Sequence, residues 1–460
     1  MKVAVIGLAR SGYAAAKLAL SLGYSVKVSD GCSGAHMSEE AVTELEKKAE
    51  ELRSLGAMVE IGRHSDEFII GTDVVITSPG VPETAKPIKV AKKENIPVIS
   101  EIEFAVRHTN AKIIAITGTN GKTTTTALIG HILDYAKIPA VVAGNIGQAL
   151  SGVIEKVKSK EFIVLELSSF QLETMEKFHP YIAIWLNLTP DHLDRHGTMD
   201  NYSAAKGNVF MNMNSDDWAV VWNHDREIVK PFVEKTGAKI AWIDETANWK
   251  QTPEEPYGLI FDNGELVSVF NGNKNTHGRF ENLKLKGKHN IINTLAAISV
   301  ARILRIPNHI INEALVEFYG LPHRLEFITE KNGMKFINDS KATNVDAAVK
   351  AIEAVNEPIS LILGGRDKDG NFLPMVDLVK RKVNKLVLMG EAALMLNEIF
   401  KSVENKTIVK NMKEAVEAAV TNVPKGTTVL LAPGCASFDM YDDFEKRGED
   451  FSECVLNFTI

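Results

Sequence analysis

A short glycine-rich segment near residue 120 carries the residue types that bind polyphosphates. An apolar run precedes Gly118, Gly121, Lys122 and Thr123, and a helix-forming segment follows them. Glycines let the backbone approach phosphate closely, a helix N-terminus offers N–H groups, a lysine reaches the β- and γ-phosphates and a threonine hydroxyl can hold Mg²⁺. The segment therefore predicts a strand, a phosphate loop and a helix that bind ATP or GTP. Ile116 stands where the usual loop pattern has its first glycine.

Three other polar residues in the same region are candidates for metal chemistry. Glu166 ends an apolar strand, where nucleotide triphosphatases place a carboxylate for Mg²⁺. An exposed acid at a strand end is the alternative. His192 follows another strand and is equally compatible with a metal ligand and with a structural histidine. Lys206 lies in a predicted helix, where an ordinary surface lysine is the default interpretation.

The first 30 residues predict a second nucleotide-type unit of strand, tight turn, helix and strand. Asp30 ends the second strand, where an acid can bond a ribose hydroxyl. Ala9 occupies the place of the second glycine of the dinucleotide fingerprint, so NAD binding and an oxidoreductase are disfavoured. Ser78 follows a later buried strand and is predicted to lie at the same sheet edge.

Two further segments have distinct patterns. Residues 218–286 contain short β-type runs joined at Asp262-Asn-Gly264, which predicts a hairpin and a β excursion beside the central domain. Asn290 is a plausible N-cap of the helix that follows. From residue 320 onward strands and helices alternate again, and Lys341, Lys368 and Ser437 each follow a strand. They are therefore predicted to lie along one edge of a third sheet.

The composition is that of a soluble globular protein. The 460 residues are enough for about three domains. With 45% hydrophobic residues and a net charge of −7, the chain has ample core material and little reason to bind nucleic acid. Its three cysteines are far apart and indicate neither a disulfide framework nor a zinc cluster. No signal peptide or long apolar run is evident, so we expect a cytoplasmic location and no membrane insertion.

Seven motifs together resemble the ATP-dependent Mur ligases of peptidoglycan synthesis. The motifs are Gly118-Thr-Asn-Gly-Lys-Thr123, Glu166-Leu-Ser-Ser-Phe-Gln-Leu-Glu173, Asp191-His-Leu-Asp-Arg-His196, Tyr202-x-x-x-Lys206, His289-Asn-x-x-Asn293, Leu321-Pro-His-Arg324 and Asn338-Asp-Ser-Lys-Ala-Thr-Asn344. The resemblance covers essentially the whole chain. Residues 339–344 and 435–439 favour the member that adds D-glutamate to UDP-N-acetylmuramoyl-L-alanine.

The resemblance implies an α/β fold of three domains. These are a Rossmann-like UDP-sugar domain (residues 1–108), a central ATP domain with a P-loop ATPase-type parallel sheet and a small β excursion (residues 109–320), and a Rossmann-like amino-acid domain (residues 321–460). It also implies a mechanism in which a carboxylate attacks the γ-phosphate of ATP and the resulting acyl phosphate is attacked by the amine of D-glutamate. The domains must close for these groups to meet.

Roles for individual residues follow from the same resemblance. The implied catalytic residues are Lys122, Glu166, His192, Lys206 and Lys341. Thr123 and Glu166 would hold one Mg²⁺, and His192 with Lys206 a second. An ammonium cannot ligate Mg²⁺, and in this family the matching lysine is carbamylated, which supplies oxygen ligands. Lys206 as a carbamate is therefore a hypothesis.

The remaining implied contacts divide among the substrates. ATP would be held by Gly118, Thr119, Asn120, Gly121, Lys122, Thr123, Thr124, Asn290, Asn293, Arg324 and Asp339. D-glutamate would be received by Lys341, Thr343, Lys368, Ser437 and Phe444. The UDP end would face Arg10, Ser11, Asp30 and Ser78, and the muramoyl part would be reached by Asn145 and Gln171. Arg10 is equally compatible with an ordinary surface charge.

Two other functions stay open at this point. Another amino-acid ligase of the superfamily, of the Mur or folylpolyglutamate type, would differ only in specificity. A regulatory nucleotide triphosphatase would hydrolyse ATP without an acceptor and would leave Lys206, Lys341 and Ser437 without a role. The expected partners are small molecules, with no nucleic acid, and the expected state is a monomer.

Overall fold

The computed structural model describes residues 1–31, 39–78, 80–82, 84–145, 147–157, 162–191, 193–285, 287–367 and 370–458. The chain divides into two compact units, one of residues 1–282 with 291–315 and one of residues 283–290 with 316–460. The first unit contains two β-sheets and the second contains one. The predicted α/β class with three sheets is confirmed, whereas the boundaries near residues 108 and 320 stay a prediction.

The N-terminal sheet consists of parallel strands that are apolar along most of their length, as expected for a sheet covered by helices. Its strands are β1 (Lys2–Ile6), β2 (Ser25–Asp30), β3 (Met58–Ile61), β4 (Val74–Thr77) and β5 (Val98–Ser100). Its helices are α1 (Arg10–Ser21), α2 (Glu39–Ser54), α3 (Asp66–Ile69), α4 (Lys86–Lys93) and α5 (Glu101–Val106). The strand order β3-β2-β1-β4-β5 changes direction between β1 and β4, where sheets of this kind bind ligands.

The central sheet begins with the strand that leads into the phosphate loop. Its parallel strands are β6 (Lys112–Thr117), β7 (Ala140–Gly144), β8 (Phe162–Glu166), β9 (Ile182–Trp185), β10 (Trp218–Trp222), β11 (Lys239–Asp244) and β12 (Tyr257–Asp262). Two antiparallel strands, β13 (Glu265–Phe270) and β14 (Asn273–Arg279), complete it. The order is β14-β13-β12-β11-β10-β9-β6-β8-β7, so the β excursion continues the central sheet.

The predicted hairpin joins β12 and β13. Asp262 pairs with Glu265, and the two turn residues Asn263 and Gly264 have φ values of 48° and 88°. Positive φ at both central positions is the geometry that favours Asn-Gly in two-residue hairpins. The sequence therefore predicted both the position and the chemistry of this turn.

Helices cover the central sheet and separate its strands. They are α6 (Lys122–Tyr135), α7 (Ile154–Val157), α8 (Ser169–Leu172), α9 (Leu193–His196), α10 (Met199–Gly207), α11 (Arg226–Val233), α12 (His289–Ile303) and α13 (Asn308–Glu317). Short 3₁₀ turns span Leu150–Gly152, Asn208–Phe210, Asn223–Asp225, Glu234–Thr236 and Phe280–Asn282. Because α12 begins at His289, Asn290 lies within its first turn, and the predicted N-cap role of Asn290 is wrong.

The second unit contains a six-stranded sheet with one antiparallel edge strand. Its strands are β15 (Glu326–Lys331), β16 (Met334–Asn338), β17 (Ile359–Gly364), β18 (Val383–Met389), β19 (Lys406–Ile408) and β20 (Thr428–Leu431). Its helices are α14 (Val345–Ala354), α15 (Val376–Lys382), α16 (Ala393–Ile399), α17 (Met412–Val420) and α18 (Phe444–Asn457), with a 3₁₀ turn at Leu373–Met375. In the order β15-β16-β20-β17-β18-β19, strands β16, β20 and β17 are parallel neighbours, so the segments after them meet at one edge.

A buried carboxylate connects the two sheets of the first unit. Glu103 of α5 is fully buried, and its oxygens accept hydrogen bonds from the backbone N–H groups of Glu176, Lys177 and Phe178 at 2.9–3.1 Å. Arg107 donates to the same carboxylate at 2.7 Å and to the Glu176 carboxylate at 2.7 Å. These bonds fix the helix after the N-terminal sheet against the loop that precedes β9. Among the described residues, no helix has both the length and the apolar character needed to cross a membrane.

We expect Glu103→Gln to lower the free energy of unfolding of the first unit by about 2–4 kcal/mol, because an amide places N–H groups against buried N–H donors. Urea unfolding followed by circular dichroism measures the change. Glu94→Gln, at an exposed position, is the matched control and should change stability by less than about 0.5 kcal/mol. Equal stability of the two variants would show that the Glu103 hydrogen bonds contribute nothing.

Candidate active site

The phosphate loop lies between β6 and α6, as the sequence predicted. Gly118 and Gly121 have φ values of 150° and 85°, a region that favours glycine. At Gly121 a Cβ atom would also lie 2.2 Å from Oδ1 of Asn293, which is buried in α12. The second glycine is therefore required both by its backbone conformation and by the close packing of α12 on the loop.

A second segment, which follows β9, holds the loop in shape. Asn187 accepts from the N–H of Asn120 through Oδ1 at 2.8 Å and donates through Nδ2 to the Asn120 carbonyl at 3.0 Å. The Thr119 hydroxyl donates to the carbonyl of Thr189 at 3.1 Å and accepts from its N–H at 3.0 Å. Asn187 and Thr189 were not among the predicted site residues, although the position of Asn187 just after a central strand is a usable signal. These contacts preorganise the loop for phosphate.

Two lysines converge on one carbonyl group of the loop. The Lys122 Nζ donates to the carbonyls of Gly118 and Thr119, both at 2.9 Å. The Lys206 Nζ donates to the same Gly118 carbonyl at 2.8 Å and lies 4.6 Å from the ring centre of Tyr202. The side chain of Lys206 is only 1% exposed, so the interpretation as a surface lysine is wrong. The helix α10 thus places an amine in contact with the phosphate loop.

Burial changes the acid–base state of this amine. Burial first, and the neighbouring Lys122 ammonium second, lower the pKa of Lys206 from its ordinary value of 10.5 to about 6, against a smaller raising effect of Asp191. A group with this pKa is mostly uncharged at neutral pH. The site therefore offers a neutral, nucleophilic amine next to the lysine that is suited to phosphate.

The carboxylate of Glu166 lies at the end of β8, beside β6. Its side chain is 2% exposed, and Oε1 accepts a hydrogen bond from Nδ2 of Asn145 at 3.1 Å. Its other oxygen, Oε2, is buried and has no hydrogen-bond partner in the described structure. A buried carboxylate oxygen without a donor fits a cation ligand. Thr123 and Thr124 occupy the first turn of α6, the former half-buried and the latter buried.

No cluster of three histidine, cysteine, aspartate or glutamate side chains forms a metal site within the described ranges. His192, predicted to ligate the second ion, lies outside the described residues, as does Lys368.

Arg10 connects the N-terminal sheet to the loop after β7. Its guanidinium donates to the carbonyl of Gly147 at 2.5 Å and to that of Asn145 at 3.0 Å. Because Asn145 also holds Glu166, a chain of contacts runs from α1 to the candidate metal carboxylate. Arg10 is an exposed residue that also bonds two backbone carbonyls, and its predicted contact with the UDP end stays a prediction.

The other residues predicted for the UDP end lie around the first turn of the N-terminal sheet. Asp30 is buried, and its Oδ2 accepts from the Leu8 N–H at 2.6 Å. Ser78 packs against Gly7 at the point where the strand order changes direction, and Ser11 is half-buried in the first turn of α1. The structure thus collects Asp30, Ser78 and Ser11 at one sheet edge.

A pocket of about 90 Å³ lies between the N-terminal and central sheets. Ser78 and Gln171 both line it, together with the stacked side chains of Phe170 and Arg195. Gln171 also belongs to a capping box at the start of α8, where its Oε1 accepts from the N–H of Ser168 at 3.0 Å. A local structural role therefore accounts for the Gln171 oxygen, and its predicted contact with the muramoyl group stays a prediction.

The second unit holds the rest of the predicted residues in two groups. In the first group Asp339 is buried, and burial raises its pKa to about 6 although the Arg324 guanidinium opposes the shift. In the second group the Nζ of Lys341 lies 3.6 Å from the ring centre of Phe444. Thr343 is half-buried, and its N–H donates to the Lys341 carbonyl at 2.8 Å.

The edge predicted for the third sheet is observed for the described residues. Lys341 follows β16 and Ser437, buried, follows β20, and these strands are parallel neighbours. Asn290 and Asn293 are both buried in the first two turns of α12. The roles of all these residues toward substrates stay predictions.

Arg447 is a buried residue that the sequence analysis missed. It is 2% exposed and donates to Ser340 Oγ and to the carbonyls of Ser340, Cys435 and Ala436 at 2.9–3.2 Å. Burial lowers its pKa to about 10. The guanidinium therefore joins the segments after β16 and β20, which carry Lys341 and Ser437. Nothing in the local sequence of α18 distinguishes it from its neighbouring charged residues.

The fold and the site together define an α/β protein that binds a nucleoside triphosphate at the carboxyl edge of its central sheet. The chain matches three families described as Mur ligase MurD-like, N-terminal domain (residues 1–100), Mur ligase middle domain (residues 116–301) and Mur ligase, glutamate ligase domain (residues 323–435). It therefore belongs to the Mur ligase family.

Two relatives of this chain have the same name. The chain is 40% identical to the UDP-N-acetylmuramoylalanine--D-glutamate ligase of Pelotomaculum thermopropionicum, over 99% of this chain and 97% of that one. It is 38% identical to the enzyme of the same name from Clostridioides difficile, over 99% and 98%. The Thermotoga maritima structure of UDP-N-acetylmuramate-alanine ligase MurC has a TM-score of 0.58 at 22% identity and covers 99% of each chain. That likeness supports the fold.

The depressed pKa of Lys206 predicts a pH-dependent stability. Between about pH 6 and pH 10 the unfolded chain binds a proton that folded Lys206 does not, so the free energy of unfolding rises with pH, by up to about 1.4 kcal/mol per pH unit. Lys206→Met should remove this slope, whereas Lys250→Met, at an exposed position, should keep it. Urea unfolding at several pH values, in metal-free buffer purged of CO₂, measures the difference. Parallel profiles for the wild type and Lys206→Met would contradict the prediction.

Proposed function

We propose that this chain is an ATP-dependent ligase that joins D-glutamate to UDP-N-acetylmuramoyl-L-alanine in peptidoglycan precursor synthesis. The observation that carries the proposal is the convergence of Lys122, Lys206 and the phosphate loop beside a buried carboxylate, Glu166. Relatives of nearly the same length that carry this activity in their name support the choice of substrates.

The reaction proceeds in two steps. The terminal carboxylate of the UDP-linked substrate attacks the γ-phosphorus of ATP, the bond from that phosphorus to the bridging oxygen breaks, and ADP leaves. The neutral amine of D-glutamate, having lost a proton, then attacks the acyl carbon of the acyl phosphate. The nitrogen of the tetrahedral intermediate gives up one further proton, and the bond between carbon and the phosphate oxygen breaks. The products are the amide and inorganic phosphate, which takes up that proton.

The chain's own residues contribute mainly positive charge and position. Lys122 and the N–H groups at the start of α6 hold the β- and γ-phosphates. Arg324, Asp339, Asn290 and Asn293 hold the adenosine. In the second unit Lys341 sits above the ring of Phe444, where its ammonium can meet the carboxylates of D-glutamate. Domain closure would bring these groups to the nucleotide.

Magnesium fits this site through the buried and unpartnered Oε2 of Glu166. Thr123 and Glu166 would hold one ion, and His192 with a carbamylated Lys206 a second. When bound, Mg²⁺ neutralises negative charge on the transferring phosphoryl group. Asn145 keeps the Glu166 carboxylate oriented through its hydrogen bond to Oε1.

The electrostatics of the amine support carbamylation of Lys206. CO₂ reacts with an uncharged amine, and Lys206 has a pKa of about 6. As an ammonium, Lys206 is repelled by Lys122. As a carbamate it would carry a negative charge, so the same neighbour would stabilise it. Burial protects the product from solvent.

The three domains would then divide the substrates as follows. Residues 1–108 bind the UDP-sugar through Arg10, Ser11, Asp30 and Ser78, with Asn145 and Gln171 at the muramoyl group. Residues 109–320 bind ATP. Residues 321–460 receive D-glutamate through Lys341, Thr343, Lys368, Ser437 and Phe444. We further propose a monomer that acts in the cytoplasm, where ATP and the nucleotide-linked sugar are made.

The first test is phosphate release from ATP with Mg²⁺ and UDP-N-acetylmuramoyl-L-alanine. Release should depend on D-glutamate and should yield the amide, detected by mass spectrometry. L-glutamate, L-lysine and no amino acid should give at most about 1% of that rate, because a site built for one acceptor rejects others by differential binding. Release that is indifferent to the acceptor would overturn the ligase assignment and favour a nucleotide triphosphatase.

The carbamate is tested separately from activity. In buffer with ¹³C-bicarbonate, the wild-type protein should give a carbamate carbon resonance that Lys206→Met lacks and Lys250→Met retains. Lys206→Met should also lower kcat at least about 100-fold, since loss of a metal ligand typically costs this much. A ligase that keeps full activity without Lys206, or a resonance that survives Lys206→Met, would contradict the carbamate at this position.

A further inference from the structure

A second and larger pocket lies at the opposite edge of the central sheet from the phosphate loop. Its volume is about 600 Å³, and residues at the amino ends of β6, β8, β10, β11 and β12 and at the end of α12 line it. β6 runs from Lys112 in this pocket to Thr117 at the phosphate loop. At about 3.3 Å per residue, roughly 17 Å of strand separates the two sites. The pocket is therefore distinct from the candidate active site.

The pocket has an excess of positive charge. Lys112, Lys239, Arg302 and Arg305 line it, against the single carboxylate of Asp216. None of these four cations has a carboxylate oxygen within 4.0 Å in the described part of the chain. Uncompensated cations around one cavity attract an anion, here in a protein whose net charge is −7.

Two groups near the pocket support the conclusion that its positive charge is not compensated. The adjacent carboxylate of Asp217 is already occupied, because it accepts from His179 at 2.7 Å and from the Asn214 N–H at 2.8 Å. Arg302 donates through Nη1 to Asn308 at 2.7 Å, but its Nε is buried and has no hydrogen-bond partner among the described residues. A buried guanidinium N–H without an acceptor costs free energy unless a ligand or water supplies one.

Aromatic rings form the other part of the lining. Trp218 lies 4.7 Å from Tyr257 and 6.1 Å from Phe270, and the latter two rings are 5.4 Å apart, measured between ring centres. All three rings are half-buried, so each keeps an accessible surface. Lys239 lies 5.5 Å from the Trp218 ring, which places a cation and a ring within reach of one ligand. Aromatic side chains of this kind bind bases by stacking.

We propose that this pocket binds an aromatic anion of the nucleoside phosphate class. The base would stack on the ring of Trp218, beside Tyr257, and the phosphate groups would contact Lys112, Lys239 and Arg305. Arg302 would add positive charge to the lining of the pocket. This proposal is independent of the ligase reaction, because it uses none of the residues assigned to that reaction.

A purely structural explanation accounts for less of the geometry. Long lysine and arginine side chains often cover an apolar sheet edge while their charges stay in water. That explains the exposed ammonium of Lys112 above the ring of Tyr181, at 4.4 Å. It does not explain the buried Nε–H of Arg302, nor a cavity of this size between the rings and the cations.

The test measures binding of ADP to the full chain by isothermal titration calorimetry. Wild-type protein should bind two ADP molecules. Lys122→Ala should remove the phosphate-loop site and leave the other. On that background, Lys239→Glu or Lys239→Gln should weaken the remaining site at least about tenfold. Lys250→Glu is the control for the charge change and should not affect ADP binding in the pocket. Lys250 is far from the pocket, because its neighbour Trp249 donates its N–H to Asp244, at the opposite end of β11 from Lys239. Thermal unfolding verifies that each variant is folded.

Two fragments of the probe separate the contributions of ring and charge. On the Lys122→Ala background, adenosine and pyrophosphate should each bind at least about tenfold more weakly than ADP. Pyrophosphate that binds as tightly as ADP would overturn the aromatic part of the proposal. A single ADP site that Lys122→Ala abolishes, or a second site unaffected by either change at Lys239, would overturn the pocket assignment altogether. Neither result would bear on the D-glutamate dependence of phosphate release.

Discussion

One backbone carbonyl, that of Gly118, brings two lysine side chains together, and the geometry of the candidate active site depends on this arrangement. Lys122 comes from the loop itself and Lys206 from α10, so the carbonyl connects the phosphate loop to a helix 88 residues away. Two like charges in a buried space are costly. The cost is lowered because Lys206 gives up its proton, and that loss in turn creates the reactive amine on which the proposed metal site is based.

In the second unit, too, a single side chain bonds several groups of the candidate site. The segments after β16 and β20 lie beyond the ends of these strands and carry Lys341 and Ser437. Arg447 satisfies three carbonyl groups of these segments with one guanidinium. A planar group with five donors suits this task better than a lysine would. The segments that carry Lys341 and Ser437, both proposed to receive D-glutamate, are thus held by a residue for which no substrate contact is proposed.

The sequence predicted the features that are encoded in short segments of the chain. The phosphate loop, the Asn263-Gly264 hairpin and the alternation of strands and helices are each encoded within a few residues, and all three were found where they were expected. Features built by distant residues were missed. Asn187 holds the phosphate loop, and Arg447 is buried, through contacts with residues that are distant in sequence. These contacts are visible only in the folded structure. Burial of Lys206 was missed for the same reason, because a lysine in a helix ordinarily faces water.

The link between the N-terminal and central sheets has a consequence for how such chains can be recombined. Arg10 bonds the backbone carbonyls of Asn145 and Gly147, and Glu103 bonds the backbone N–H groups of residues 176–178. Arg107 adds a bond to the side chain of Glu176. Backbone recognition tolerates changes of residue type but not of loop length. A chimaera that exchanges the first domain between relatives would therefore remain compatible wherever these two loops keep their length, even at low sequence identity. Loop insertions there would uncouple the domains.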